Sequence, residues 1–183
     1  MIEGNLNESS GFPGSTETIA TVGSAFPRSM IQRLLDTRAS AANALIRLMV
    51  GGVFLSEGIQ KFLYPADLGS GRFEKIGLPA PEFFGPFVGS FETICGALIL
   101  LGLGTRLAAI PLIFIMLVAL FTVKIPILIG EEFLGFALRP LPRYGVLSML
   151  HESRNDFCML LGSVFLLITG AGPWSIDSKL VKK

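Results

Sequence analysis

The chain is short of charge, of cysteine and above all of histidine, and each shortage removes a class of function. Lys, Arg, Asp and Glu make up 16% of its 183 residues, against roughly 25% in an ordinary soluble domain. With a net charge of +1 there is no basic excess to neutralise a phosphate backbone, so no nucleic-acid partner is expected. His151 is the single histidine, which excludes a bis-histidine haem or a multi-histidine metal site within one chain. Cys95 and Cys158 have no CxxC partner and no Cys/His ligand spacing, and both are expected to act as small apolar fillers in helices. No Lys or Arg precedes Arg28, so the N-terminal stretch does not read as a signal or transit peptide. Signatures of nucleophilic hydrolases, P-loops, zincins and dinucleotide folds are missing too. Catalysis by this chain alone, an intrinsic cofactor and a metal site are therefore not expected.

What the chain has is hydrophobicity, 51% of residues, gathered into four apolar stretches at 41–64, 84–103, 107–129 and 155–172. A helix needs about 20 residues to cross the hydrocarbon of a bilayer, so the expected fold is all-α, a polytopic membrane four-helix bundle with a short amphipathic N-terminal segment. Residues 1–28 read as a flexible polar tail, 29–40 as a segment lying on the membrane surface, and 179–183 as a basic C-terminal tail. Arg28, Arg33, Arg38, Arg106, Lys179, Lys182 and Lys183 fall on one face, and the smaller set Arg72, Lys75, Arg139, Arg143 and Arg154 on the other. The positive-inside rule then places both termini in the cytoplasm. The connection from Gly130 to Arg154 mixes aromatic, apolar and charged residues and reads as a surface-lying segment or a lid.

Ionisable residues occupy or border every span: Arg47, Glu57 and Lys61, then Glu92, Lys124 and Asp156. A charge at bilayer depth costs about 2.5 to 3.5 kcal/mol on insertion scales, so these groups are expected to face the bundle interior and one another. Glu57 and Lys61 stand at i, i+4, where a helix pairs them. On the second span Gly85, Gly89, Glu92 and Gly96 fall within about 60° of arc at 100° per residue. That stripe is a helix-packing face carrying a carboxylate. Pro126 stands close after Lys124 and is expected to free a carbonyl one turn earlier and kink the third helix. Arg72, His151 and Arg154 are candidates at the membrane interface, where an imidazole among charged neighbours can relay protons or simply be solvated. Three basic and three acidic groups in the spans balance. Such an interior suits a polar pocket for a quinone headgroup or small reductant, and equally a network that only fixes helix register. Paired charges also mark transport pathways, though four spans without an inverted repeat argue against a transporter.

Several pieces, in order, resemble the DoxX family: Arg47 with the run GGVFLSEGIQKF at 51–62, Gly71-Arg72-Phe73, Gly77-Leu78-Pro79, Glu92 with Gly96, LGLGTR at 101–106, and ITGAGPWSID at 168–177. The resemblance covers about residues 41–180 and implies a DoxX-like four-helix domain over 41–178 in the bacterial or archaeal plasma membrane. It further implies an accessory role in a redox-linked membrane assembly, with quinone as the candidate ligand and other membrane subunits or further copies of the chain as partners. The N-terminal 40 residues and the long 130–154 connection depart from short members of that family.

Overall fold

The computed structural model describes residues 41–181. The readings of 1–28 as a tail and 29–40 as an interfacial segment, and the basic pair 182–183, lie outside them. Four long helical rods account for most of the described residues. The first is α1 (Asn43–Leu63), succeeded by the short α2 (Ser70–Ile76) and then α3 (Pro81–Leu101). The third rod joins α4 (Thr105–Ala119), a π-turn (Leu120–Lys124) and α5 (Ile125–Ile129); the fourth is α6 (Val146–Thr169), after which α7 (Ile176–Val181) closes the chain. Among the described residues there is no strand, only an isolated bridge between Phe133 and Phe136. Pro81–Leu101 and Thr105–Ile129 are long and apolar enough to cross a membrane. α1 and α6 are of similar length but carry charge, α1 toward both ends at Arg47, Glu57 and Lys61 and α6 in its first half, which lowers their mean hydropathy below that of the other two.

The molecule is apolar outside as well as inside. Leu45 and Leu48 on α1, Phe83 and Ile94 on α3, Leu107 and Phe114 on α4, and Leu161 and Ile168 on α6 all face outward. A belt of that size on every long helix is surface for lipid rather than water. The interior holds Val50, Phe54, Ile99, Leu112, Met159 and Leu166, together with buried Arg47, Glu92, Lys124 and Asp177.

Glycine decides how α1 meets α3. A methyl group on Gly96 would stand 2.6 Å from the backbone nitrogen of Leu55, and one on Gly51 would stand 2.8 Å from the carbonyl oxygen of Gly96. The expected stripe thus packs inside the bundle: Gly96 and Gly89 meet α1, while Gly85 meets the backbone of Ser70. Gly51 and Gly58 supply the facing half on α1. Gly96→Leu is expected to force the two helices apart and to destabilise the protein by more than the roughly 1 to 3 kcal/mol of ordinary overpacking. A thermal melt in mild detergent checks this, against Gly52→Ala, where an added methyl meets nothing within 4 Å.

The predicted kink at Pro126 takes the form of the π-turn. Pro126 has no N–H to offer the preceding turn, and the wide turn at Leu120–Lys124 absorbs that break with one extra residue. It also rotates the residues beyond it. In an unbroken α-helix Lys124 would stand about 80° around the axis from the buried Met116; one extra residue brings it back to within about 20°. Lys124 is accordingly buried.

Three boundaries and placements differ from the hydropathy reading. α6 begins at Val146, not at 155, because a helix continues through polar residues once its apolar half is anchored. The basic tail starts later than expected, since Lys179 belongs to α7. Cys95 is buried as expected, whereas Cys158 is exposed on α6, turned away from the face that buries Met159, Ser163 and Leu166.

Candidate functional site

The buried charges separate into two clusters at opposite ends of the bundle. One lies where α3 turns into α4. Arg47, near the start of α1, donates to four carbonyl oxygens: Nε to Ile99 at 2.9 Å, Nη2 to Leu100 at 2.6 Å, and Nη1 to Trp174 at 2.7 Å and Ala171 at 3.2 Å. The first two belong to the last turn of α3, whose carbonyls have no partner within the helix. Asp177 serves the opposite need. Its carboxylate accepts from the backbone N–H of Gly104 at 2.8 Å and of Thr105 at 3.2 Å, at the start of α4, where negative charge suits the helix dipole. Between them Gly102, at φ 68°, leaves room for the guanidinium, since a methyl there would lie 2.8 Å from Arg47 Cζ. Asn43 ties α1 to the end of α6 through Thr169 Oγ1 at 2.9 Å and the Gly170 carbonyl at 3.0 Å.

The other cluster surrounds a cavity of about 570 Å³ at the end that carries the long connections. Lys61 on α1 lies 2.5 Å from Glu92 on α3 and 3.8 Å from Glu57 one turn back. Across the bundle Lys124 lies 2.9 Å from Asp156 on α6 and donates to the carbonyl of Glu152 at 2.7 Å. Glu152 in turn accepts from Arg139 at 3.2 Å. Phe54, Phe84, Phe87, Phe136, Met116 and Met159 form apolar walls between the charged groups. The 65–80 and 130–145 connections border the polar end. They are joined by the Ala137 N–H to the Ile76 carbonyl at 2.8 Å, and Arg72 and Phe73 from one and Phe136 and Arg139 from the other reach the cavity.

The structure therefore gathers Glu57, Lys61, Arg72, Glu92, Lys124 and Asp156 on one cavity and separates Arg47 from them. Arg47 balances none of the cavity acids, because carbonyl oxygens at a helix end satisfy its guanidinium instead. His151 and Arg154 are exposed, are not among the cavity walls, and bond to each other, Arg154 Nη1 lying 2.7 Å from His151 Nε2. Arg139, Glu152 and Asn155 line the cavity, although the first two lie outside the apolar stretches and the third only at the edge of one. Glu152 stands four residues before Asp156 on the same helix face, a spacing that points to it once α6 is extended to Val146. Four basic and four acidic side chains line the cavity, so its net charge is zero, which suits a neutral ligand better than an ion. Among the described residues no three His, Cys, Asp or Glu side chains converge to hold a metal ion.

A family model described as DoxX matches residues 42–125. The uncharacterized membrane protein Rv3486 of Mycobacterium tuberculosis is 47% identical over 165 residues, covering 90% of this chain and 96% of that protein. No solved structure matches.

Proposed function

Because this chain belongs to the DoxX family of membrane proteins, we propose that it is an integral accessory subunit of a redox-linked assembly in the plasma membrane and that its cavity accepts a quinone headgroup. Electrons are carried by a partner, and both termini face the cytoplasm, so the cavity lies toward the opposite face. The observation that carries this reading is the neutral cavity of about 570 Å³, in which the ammonium groups of Lys61 and Lys124 stand among phenylalanine and methionine walls. Its size lies within the roughly 300–1,000 Å³ of small-molecule sites, and apolar lining with a few placed polar groups is their usual make-up. A quinone ring is flat, uncharged and bears carbonyl oxygens that accept from ammonium groups, while its faces pack on aromatic rings.

Purification from native membranes into lipid nanodiscs, with extraction and mass spectrometry afterwards, should recover quinone with the wild-type protein. Glu92→Gln removes the charge that orients Lys61 while preserving volume, and should weaken quinone binding about tenfold, equivalent to roughly 1.4 kcal/mol. Unchanged occupancy in that variant rejects the assignment. A register-fixing role describes the Arg47 cluster better, since Arg47 and Asp177 are both engaged by backbone groups of the protein and neither lines the cavity.

A further inference from the structure

The cavity shares part of its wall with the outer surface. Phe87 on α3 and Phe114 and Val118 on α4 line the cavity, yet they are respectively 45%, 67% and 36% exposed. Side chains at the rim of an opening meet both conditions. All three lie in the halves of α3 and α4 distant from the tight Gly102–Gly104 turn that holds the two helices together. Around them the outer face is aromatic: Phe83 stacks on Phe87 with centroids 5.4 Å apart, and Phe87 meets Phe91 at 4.9 Å. In a bilayer that face looks onto acyl chains, not water.

We infer that the cavity opens sideways into the hydrocarbon through a portal between α3 and α4, framed by Phe87, Phe114 and Val118, and that its ligand is a lipid-dissolved amphiphile whose tail lies in this portal. The inference rests on the quinone reading for the identity of the ring and on geometry alone for the route. A polar head travelling this way passes from lipid to the Lys61 and Lys124 ammonium groups without entering water. The connections at 65–80 and 130–145 leave the cavity a separate aqueous mouth, since Arg72 and Arg139 line it and are exposed.

Two measurements test it. In nanodiscs, Val118→Phe, which narrows the portal, should bind a decyl-tailed benzoquinone about tenfold more weakly, the scale of one overpacked side chain, while its affinity for the same ring without a tail stays within about twofold. Equal losses for both rings, or none for the tailed one, overturn the portal. The second measurement needs no quinone. In a Trp174→Phe background, which removes the chain's one tryptophan, Phe54→Trp puts a reporter at a cavity wall that is 1% exposed. Brominated acyl chains should quench it; Val118→Phe should relieve the quenching, and Phe114→Ala, which widens the opening, should deepen it. A reporter insensitive to brominated lipid, or to both portal variants, overturns the inference. Portal-dependent quenching without binding of either benzoquinone would refute the quinone reading and leave the portal standing.

Discussion

Arg47→Met is expected to be the most damaging single substitution in the described part of the chain. It removes donors from four carbonyl oxygens at once, those of Ile99, Leu100, Ala171 and Trp174. Leaving a buried polar group without its partner costs about 1 to 3 kcal/mol, and of the four the Ile99 carbonyl keeps a second donor, the N–H of Gly102 at 3.1 Å. Even with partial relaxation the loss should exceed about 4 kcal/mol. Arg47→Lys separates charge from geometry. Lysine keeps the positive charge at the end of α3, but its single ammonium cannot span the fork that reaches both α3 and the 171–174 segment. It should therefore recover well under half of the loss. Unfolding in mixed micelles reads the stability, and hydrogen exchange at residues 170–177 reads whether the segment has come loose. Equal stability of Arg47→Met and wild type would show that the four contacts contribute nothing.

The second large effect concerns Lys61 and Glu92, whose side chains are 10% and 4% exposed. Removing one member of a buried ion pair costs about 3 to 5 kcal/mol, because the remaining charge is stranded, whereas replacing both with apolar groups of similar volume is often nearly neutral. Lys61→Met should accordingly destabilise the protein by that amount. Lys61→Met with Glu92→Leu should regain most of it and abolish quinone binding. A stable double variant that no longer binds shows the pair to be kept for its ligand. One that binds as before shows that the ring sits elsewhere in the cavity. Glu57 does not rescue the single variant, since at 3.8 Å from Lys61 it belongs to the same charge group and is itself left without that ammonium.

How much of this is written in the sequence depends on whether a partner has a sequence signature. The helices are legible, because hydrophobic runs and their length follow directly from the bilayer. So is the inward face of α3: Gly85, Gly89, Glu92 and Gly96 share one face by period alone, and Gly96 indeed meets α1. The pairing of Lys61 with Glu92 shows in the sequence only as a balance of charges. Arg47 is misplaced by that balance because its partners are carbonyl oxygens, which every residue carries. Asp177 stands in the closing motif, but its role depends on a helix start more than seventy positions earlier. The π-turn follows from Pro126 once a break is expected, yet whether the break becomes a kink or an inserted residue is settled by packing around Lys124. Arg139 and Glu152 escape notice because they lie outside the apolar stretches, where a charge raises no question.

The latch formed by the 170–177 segment has a consequence for how the protein is made. The hairpin of α3 and α4 emerges from the ribosome well before Asp177, and until that residue arrives the N–H groups of Gly104 and Thr105 and the carbonyl of Gly102 lack the partners they hold in the finished molecule. Synthesis runs from the N-terminus at roughly 5 to 20 residues per second, so the hairpin spends several seconds inserted but unlocked. Biogenesis thus has a defined last step, the docking of the C-terminal strap, and only chains translated to that point acquire the mature arrangement.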